Sequence, residues 1–265
     1  MKLSKIEGLL FLPICILTKP TQLTQPNDID IYFPYVHLSK VNPFNYDRIT
    51  DFVVFGDSYS LVGTNFTDMT YTGKNRSHGK NWPLQLIDLH PMDMWNFAES
   101  GSTVDMSIIC REPHDFKIQC NNFNEWGKNG LFTIWIGSND IRSMNRTIPN
   151  KEEIYDKIMD EMFKTVDGLY HVDVDYMNRL FSKNIKTFAE THSDANIFLY
   201  DIHRRFNEII NHCTFYKFKD CRRDWRNFKK DSVKLFFWAD FSHSTYRANG
   251  FFSNDINNFL TSISN

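Results

Sequence analysis

Short apolar runs alternate with segments of helical periodicity along most of the chain. The apolar runs predict buried strands at residues 49–55, 94–98, 131–136 and 195–200. Apolar residues at the spacing of a helix face predict helices at residues 81–89, 151–167, 174–191, 202–210 and 251–263. Strands separated by helices are typical of a mostly parallel sheet with helices on both faces, so we expect an α/β fold.

Polar turns follow the predicted strands, at the edge of a parallel sheet where ligands bind. Gly56-Asp57-Ser58 comes after the first strand, Ser100-Gly101 after the second, and Gly137-Ser138-Asn139-Asp140 after the third. A further turn, Asp240-Phe241-Ser242-His243, stands near the C-terminus. Taken singly, each has the composition of an ordinary turn, because Gly, Asp, Asn and Ser favour turns and helix caps.

Together these turns supply the groups that acyl transfer needs. A serine hydroxyl is a poor nucleophile until a base removes its proton, and His243 can be that base for Ser58, because imidazole titrates at about pH 6.5. Asp240 can hold the imidazole tautomer and stabilise its charged form. The negative oxygen of the intermediate needs preorganised donors, and we expect these to be the backbone N–H groups of Ser58 and Gly101 and the side-chain amide of Asn139.

The four turns resemble the sequence blocks of the GDSL, or SGNH, hydrolase family. The strand followed by GDS is matched by VVFGDSYS, the glycine block by NFAESGST, GxND by GSND, and the C-terminal DxxH by Asp240 and His243. The blocks stand in the family's order, and the resemblance covers residues 49–265. It implies a three-layer α/β/α sandwich of flavodoxin-like type. It also implies a Ser58–His243–Asp240 esterase mechanism that uses no metal and no other cofactor.

Two further stretches, HGKNWPLQL and ANIFLYDIHRRFNEII, resemble secreted plant and fungal members. Such members remove acetyl groups from carbohydrates or hydrolyse lipid and small aromatic esters.

Two positions depart from the family pattern. Ser244 replaces the proline that often follows the histidine, and Ser100 stands where plant members often have glycine. Neither departure removes a predicted catalytic group. We therefore expect both to affect the shape of the substrate pocket and not the chemistry.

Composition and charge exclude several classes of protein. Hydrophobic residues make up 42% of the 265-residue chain and charged residues 23%, which is typical of a packed globular protein. Lys and Arg number 30 against 32 for Asp and Glu, so no basic excess favours nucleic acid. No apolar run is long enough for stable membrane insertion. The sequence contains no CxxC or HExxH, and its histidines have no metal-like spacing, so we expect no metal site.

The first residues predict a secretory signal peptide over residues 1–18. Lys2 and Lys5 precede the apolar stretch Leu9–Leu17, although Glu7 and the lack of a clear cleavage site leave a buried N-terminal segment as the alternative. Residues 19–48 are polar and rich in proline, which favours a lead-in segment on the surface. The esterase-like domain is then expected over residues 49–265.

Cysteines and sequons agree with an extracellular location. Four cysteines follow the presumed signal, and they allow three pairings. The shortest loops join Cys110 with Cys120 and Cys213 with Cys221, which is the pairing that we expect, with reduced structural cysteines as the alternative. N-glycosylation sequons begin at Asn65, Asn75 and Asn145.

Two tryptophans and one basic stretch each have both a structural and a functional interpretation. Trp82 and Trp135 could form a sugar-stacking face, but core packing is expected for Trp135 because it lies within a predicted strand. The basic stretch Lys217–Lys230 could favour an anionic polymer, and a solvated face beside a disulfide is the simpler interpretation.

The favoured hypothesis is a secreted, monomeric serine esterase that forms an acyl-enzyme on Ser58. We expect its substrate to be a small-molecule or polysaccharide ester, with short acetyl esters of carbohydrates preferred. The alternatives are a lipase for long-chain esters, an acyltransferase with the same residues, and a non-catalytic glycan-binding protein.

Overall fold

The computed structural model describes residues 6–11, 29–111, 115–123, 130–144, 153–154, 157–158, 161 and 185–264. Its strands are β1 (Ile6–Phe11), β2 (Tyr35–His37), β3 (Asp51–Gly56), β4 (Asp93–Asn96), β5 (Gly130–Trp135), β6 (Ile197–Leu199), β7 (Asp220–Asp224) and β8 (Phe236–Trp238). Its α-helices with both ends described are α1 (Trp82–Leu89), α2 (Phe116–Asn121), α3 (Ser138–Ser143), α4 (Ile202–Asn211) and α5 (Tyr246–Ser262).

A six-stranded sheet organises the molecule, in the order β2-β6-β1-β5-β3-β4. Its neighbouring strands are parallel except for β2, which runs antiparallel to β6. The short strands β7 and β8 form a separate parallel pair. The mostly parallel sheet with its helices confirms the predicted α/β class.

Helices cover both faces of this sheet, which is why its central strands are apolar on both sides. In β3, Val53 packs in one cluster with Phe116 of α2 and with Phe188 of the helical residues 185–191. Phe52, the preceding residue, points to the opposite face and packs in a second cluster with side chains of α1, α4 and α5. The result is three layers. The predicted helices at 151–167 and 174–191 fall largely outside the described residues.

Hydrogen bonds from side chains set the starts of two helices. α1 begins at Trp82, whose backbone N–H donates to the Asn249 side-chain oxygen at 3.0 Å. Asn81 occupies the predicted cap position, but its side chain makes no capping bond. α5 begins at Tyr246, earlier than the predicted residue 251, because the Thr245 side chain caps its first turn.

The N-terminal residues Ile6–Phe11 form β1, which pairs with β5 on one side and β6 on the other. β1 lies within the stretch predicted to be a signal peptide. In the uncleaved chain these residues are therefore part of the sheet. Removal of residues 1–18 stays a prediction, and the expected cleavage region lies outside the described residues.

The described part of the lead-in segment, residues 29–48, contributes to the core. Tyr32, Phe33, Phe44 and Tyr46 are buried, and β2 adds an edge strand to the sheet. The proline-rich pattern indicated a surface path, and the aromatic residues within it explain why this segment is instead packed against the body.

A buried ion pair fastens this segment to the helices. Arg205 of α4 contacts Asp255 of α5 at 2.6 Å, with both side chains less than a tenth exposed. The Arg205 guanidinium also donates to the hydroxyls of Tyr32 and Tyr216, each at 3.0 Å. The Tyr200 hydroxyl donates to Asp255 at 2.8 Å. Burial raises the pKa of Asp255 to about 6, and the Arg205 charge opposes that rise.

The cysteines form one of the two expected bridges. Cys213 and Cys221 are joined, with their Cα atoms 5.8 Å apart, and the bridge ties the end of α4 to β7. Cys110 and Cys120 are free thiols, so the pairing predicted for them is wrong. The reason is orientation: Cys110 is exposed, whereas Cys120 lies on α2 and packs against the core cluster. Burial raises the pKa of the Cys120 thiol.

Candidate active site

The described structure brings the four predicted turns together at one end of the sheet. Ser58 follows β3, Asn139 lies in α3 after β5, and His243 lies in the turn after β8. The His243 Nε2 atom is 2.7 Å from the Ser58 hydroxyl oxygen. The His243 Nδ1 atom is 2.8 Å from both carboxylate oxygens of Asp240. Serine, imidazole and carboxylate therefore stand in one hydrogen-bonded line, with Ser58 half-buried and the other two buried.

The turn that carries Asp240 and His243 is held by its own backbone. The Asp240 carboxylate accepts the N–H groups of Ser242 and His243, each at 2.9 Å. The Ala239 N–H donates to the His243 carbonyl at 2.7 Å, which closes the turn. The carboxylate thus fixes both the backbone and the ring of His243, so the two side chains move as a unit.

The Asp240 carboxylate is kept ionised. Burial alone would raise its pKa, but the hydrogen bond to His243 and the backbone N–H of Ser242 hold the pKa well below its usual range. An ionised carboxylate accepts the Nδ1–H and leaves the Nε2 atom of His243 as the acceptor that faces Ser58. This is the arrangement that a general base requires.

Two of the three predicted oxyanion donors are available. Within the described part of the chain, neither the Ser58 nor the Gly101 backbone N–H has a hydrogen-bond partner. Gly101 has a φ of 99°, a conformation that glycine adopts readily and other residues rarely do. A carbonyl oxygen beside Ser58 can therefore be met by backbone donors without a Cβ atom in the way.

The third predicted donor, the Asn139 amide, is already engaged. Its nitrogen donates to the Asp57 carboxylate at 3.2 Å and to the Ser102 carbonyl at 3.0 Å. Both of its hydrogens are used, so Asn139 has to release one bond before it can donate to a substrate oxygen. The structure places Asn139 beside the predicted site but aims its amide at the protein.

Asp57 is the centre of this network and is fully buried. Its carboxylate accepts from the Ser138 hydroxyl, the Asn139 amide and the Tyr59 backbone N–H. Burial raises the pKa of Asp57, and the bonds from Ser138 and Tyr59 oppose that rise, followed by the electrostatic effects of His243 and Arg111. Asp57 therefore holds the turn after β3 and the start of α3 in register.

Three residues with positioning contacts were not singled out from the sequence. Tyr59 donates its hydroxyl to the Ser242 carbonyl at 2.6 Å and stacks on Trp135 with a ring separation of 4.8 Å. Gln119 of α2 bonds both backbone groups of Gly56, at 2.9 Å each. Ser138 bonds Asp57, as described above. Tyr59 could have been suspected from its place beside Ser58, whereas nothing in the local sequence distinguishes Gln119.

Trp82 and Trp135 are fully buried, so neither offers a sugar-stacking face. The Trp82 indole N–H donates to the Ser60 hydroxyl at 3.2 Å. Trp135 packs beneath Tyr59, as described above, which agrees with the expected core role. The predicted stacking face is therefore absent at these two positions.

The exposed surface beside the Asp240–His243 turn carries an aromatic ring and cationic groups. Phe241 is 67% exposed. The Arg142 guanidinium lies 4.6 Å from the centre of its ring, and the Arg226 guanidinium lies 5.3 Å from the same point. Arg226 belongs to the basic stretch Lys217–Lys230, so that stretch reaches the edge of the site.

The two described sequons differ in how their asparagines are held. Asn65 is exposed, and its side-chain oxygen accepts from the Thr67 N–H at 3.1 Å. Asn75 donates its amide to the carbonyls of Gly73 and Gly79, each at 2.8 Å. Asn145 lies outside the described residues.

The described residues contain neither a candidate membrane-spanning helix nor a candidate metal site. None of their helices is long and apolar enough to cross a membrane. No group of three or more His, Cys, Asp or Glu side chains among them could hold a metal ion.

Comparison with known proteins gives one further finding. A family model described as GDSL-like Lipase/Acylhydrolase matches residues 52–241, which is more than half of the chain. The matched range includes Ser58, Gly101, Asn139 and Asp240 and ends shortly before His243. No curated protein matches the chain.

Proposed function

Because the chain belongs to the GDSL-like Lipase/Acylhydrolase family and is an ester-bond hydrolase, we propose that it cleaves carboxylic esters through an acyl-enzyme on Ser58. The observation that carries the proposal is the hydrogen-bonded line from Ser58 through His243 to Asp240. The base lies within hydrogen-bond reach of the nucleophile on one side and of the orienting carboxylate on the other, which is the geometric requirement for nucleophilic catalysis.

The reaction begins when His243 Nε2 accepts the Ser58 proton as the oxygen attacks the ester carbonyl. The backbone N–H groups of Ser58 and Gly101 stabilise the negative oxygen, and Asn139 adds its amide after releasing Asp57 or Ser102. The imidazolium then donates its proton to the departing alcohol. Water repeats the sequence on the acyl-enzyme and releases the acid, whereas an alcohol acceptor in place of water would make the protein an acyltransferase.

The proposed substrates are short acyl esters, above all acetyl esters, of carbohydrates. Their support is the resemblance of the sequence to secreted plant and fungal members. The exposed surface beside His243 adds to it, since it combines one aromatic ring with guanidinium groups. A lipase would need an extended apolar surface for its acyl chain, and activity that rises steeply with chain length would favour that alternative.

We propose that the protein is secreted and N-glycosylated. The apolar N-terminal stretch and the Cys213–Cys221 disulfide support secretion, because disulfides persist mainly in oxidising compartments. Asn65 is the better acceptor of the two described sequons. Its amide nitrogen has no hydrogen-bond partner among the described residues, whereas a glycan on Asn75 would disturb its bonds to Gly73 and Gly79.

The proposed function is tested with p-nitrophenyl esters from acetate to palmitate, hydrolysed by wild type and Ser58→Ala. The variant should lose at least roughly 10⁴-fold in kcat, because no other group supplies the nucleophile. Ser232→Ala is the matched control, since Ser232 is exposed and its side chain makes no capping bond. Normal turnover by a folded Ser58→Ala protein would refute the assignment. Glycan binding without hydrolysis by wild type would favour the non-catalytic alternative.

A further inference from the structure

Gln119, a buried side chain of α2, bonds to both chain segments that carry the proposed backbone donors. Its oxygen accepts the Gly56 N–H at 2.9 Å, and its nitrogen donates to the Gly56 carbonyl at 2.9 Å. The same nitrogen donates to the Ser102 hydroxyl at 3.1 Å. Gly56 ends β3 two residues before Ser58, and Ser102 directly follows Gly101. Only 2% of Gln119 is exposed, so water does not compete for these bonds.

At Gly56, Gln119 takes the place that a neighbouring strand would have. β4 pairs with β3 as far as Val54, so the backbone groups of Gly56 lie beyond the end of that pairing. A primary amide has a donor beside an acceptor, as a peptide group does, and Gln119 uses both of them on Gly56. On the β5 side, a Cβ atom added to Gly56 would lie 2.5 Å from the Trp135 carbonyl oxygen. The end of β3 is therefore held between β5 and Gln119.

The turn that contains Gly101 is closed between Glu99 and Ser102. The Ser102 N–H and the Ser102 hydroxyl both donate to the Glu99 carbonyl, at 3.3 and 3.0 Å. The Glu99 N–H donates to the Gly56 carbonyl at 3.2 Å, which is the carbonyl that Gln119 also contacts. One end of the turn is thus tied to Gly56 and the other to Gln119, with Gly101 between them.

The connection also reaches Asn139, the third predicted donor. The Ser102 carbonyl accepts the Asn139 amide at 3.0 Å, whereas the Ser102 hydroxyl accepts from Gln119. A shift of Ser102 would therefore move both the Gly101 N–H and the acceptor of Asn139. Through Gly56 and Ser102, the Gln119 side chain is joined to every segment that carries a predicted oxyanion donor.

We infer that Gln119 is a positioning residue, which fixes the backbone N–H groups of Ser58 and Gly101 at the spacing that the negative oxygen of the reaction requires. This inference rests on the proposed esterase function and deepens it. Oxyanion donors stabilise a transition state when they are held in advance at about 2.7–3.1 Å from the developing charge. The two donors come from different turns, so their spacing depends on groups that bond to both turns, as the Gln119 amide does.

The first test is Gln119→Met, which keeps a long side chain and removes its donor and acceptor. The kcat for p-nitrophenyl acetate should fall about 10²-fold while KM changes less than about twofold, because displaced donors weaken binding of the transition state and not of the ester. Cys120→Ala is the matched control, since Cys120 is the next residue of α2 and packs against the core cluster. It disturbs the same helix without removing the bonds to Gly56 and Ser102.

A trifluoromethyl ketone inhibitor reports on the oxyanion donors directly. The Ser58 oxygen adds to its carbonyl carbon, the Ser58 proton passes to His243, and the carbonyl oxygen becomes a negative oxygen. The inhibition constant should rise in Gln119→Met by about the factor by which kcat/KM falls, because both depend on the same stabilised charge. Loss of folded protein would lower the number of active sites and leave the inhibition constant unchanged.

A conservative variant gives a pH-dependent readout. In Gln119→Glu, a protonated carboxyl offers the same donor and acceptor as the amide, whereas a carboxylate has no donor and faces the Gly56 carbonyl. The ratio of variant to wild-type kcat should therefore fall as pH rises and the introduced carboxyl ionises, above the usual range of about pH 4.3 because burial favours the neutral form. Taking the ratio at each pH cancels the groups that titrate in both proteins. An equally low ratio at every pH would count against the inference.

Ser102→Ala keeps the test decisive if Gln119→Met does not fold. It removes the Ser102 contact with Gln119 and leaves both bonds to Gly56, so kcat should fall about tenfold and the inhibition constant should rise in parallel. Wild-type kcat and inhibition constant in a folded Gln119→Met or Ser102→Ala protein would overturn the inference and leave the esterase intact. Failure of wild type to hydrolyse any ester would instead refute the proposed function.

Discussion

At the scale of single residues, Asp140 shows how burial disfavours a negative charge inside the molecule. Asp140 is fully buried, and both of its carboxylate oxygens accept the Val104 N–H, at 3.0 and 3.2 Å. Burial nevertheless raises its pKa to about 7, and the nearby Asp57 adds to the rise. The residue joins α3 to the loop that contains Gly101 and Val104.

This burial predicts a pH dependence of stability. The pKa of Asp140 is raised from 3.8 to about 7 on folding, so between these values the folded state binds more protons than the unfolded state. The free energy of unfolding should therefore decrease as pH rises through this range, by up to about 1.4 kcal/mol per pH unit, and level off above it. Asp140→Asn should flatten this slope, measured by urea denaturation at several pH values between about pH 5 and about pH 8. The lower values lie between the two pKa values of Asp140, and the highest lies above both.

The contribution of Asp140 to the pH dependence is the difference between the slopes of wild type and Asp140→Asn in plots of the free energy of unfolding against pH. The difference is needed because other groups titrate in both proteins. Asp68→Asn is a suitable control, since Asp68 is exposed and the hydrogen bonds of Thr70 lower its pKa. The control should keep the wild-type slope in this pH range. Parallel curves for wild type and Asp140→Asn would contradict the prediction.

At the scale of elements, one hydroxyl group joins the turn after β3 to the turn after β8. Tyr59 follows Ser58, the proposed nucleophile, and its hydroxyl donates to the carbonyl of Ser242, which precedes His243, the proposed base. The two turns come from distant parts of the chain, and their relative position sets the 2.7 Å contact between Ser58 and His243. Tyr59 is therefore a positioning residue.

Tyr59→Phe removes this bond while keeping the ring that stacks on Trp135. We expect kcat to fall about fivefold with little change in KM, because a net hydrogen bond is worth about 1 kcal/mol and the substrate contacts remain. The rate at which a fluorophosphonate labels Ser58 should fall in parallel, which a general loss of stability would not cause. Tyr71→Phe is the control, since Tyr71 is exposed. An unchanged labelling rate would show that the bond does not position the nucleophile.

The elements differ in how far their sequence predicts them. β3 and β5 carry continuous apolar runs because helices cover both faces, and their positions were predicted to within one or two residues. The short strands β2 and β7 were missed. β7 (Asp220–Asp224) is charged at every position except Cys221 and owes its conformation to pairing with β8, which no local pattern reveals.

In the candidate site too, some features follow from local sequence motifs and others depend on the fold. Ser58, His243 and Asp240 could be predicted because each stands in a short motif whose chemistry is specific. The engaged state of Asn139 could not, because it depends on Asp57 and on a backbone carbonyl from another loop. The contacts of Arg142 and Arg226 with the Phe241 ring were equally hidden, since the arginines come from distant segments and only the fold brings them together.

At the scale of the whole molecule, the buried pair of Arg205 and Asp255 holds three parts of the chain together. It joins α4 to α5, and through Tyr32 it reaches the N-terminal segment. Removing one partner leaves the other charge buried without compensation, which costs far more than the loss of a surface pair.

Arg205→Met should therefore lower the free energy of unfolding by about 3–5 kcal/mol in urea denaturation. The double variant Arg205→Met/Asp255→Leu should regain much of this loss, because neither charge is then left unpaired. Lys80→Gln is the control: it breaks a surface pair with Asp88 whose side chains are more than half exposed, and it should cost less than about 1 kcal/mol. Equal effects of Arg205→Met and Lys80→Gln would contradict the prediction.

Because β1 lies within the predicted signal peptide, the structure of the sheet depends on whether the chain folds before or after that peptide is removed. Its backbone pairs with β5 on one edge and β6 on the other, so a chain that folds before processing retains residues 6–11 between them. A chain shortened after residue 18 before it folds leaves β5 and β6 with unpaired edges. Both strands run parallel to β1, so they can pair directly after closing one strand spacing, roughly 5 Å. If residues 1–18 are removed as predicted, the timing of that cleavage against folding would select between two sheets that differ by one strand.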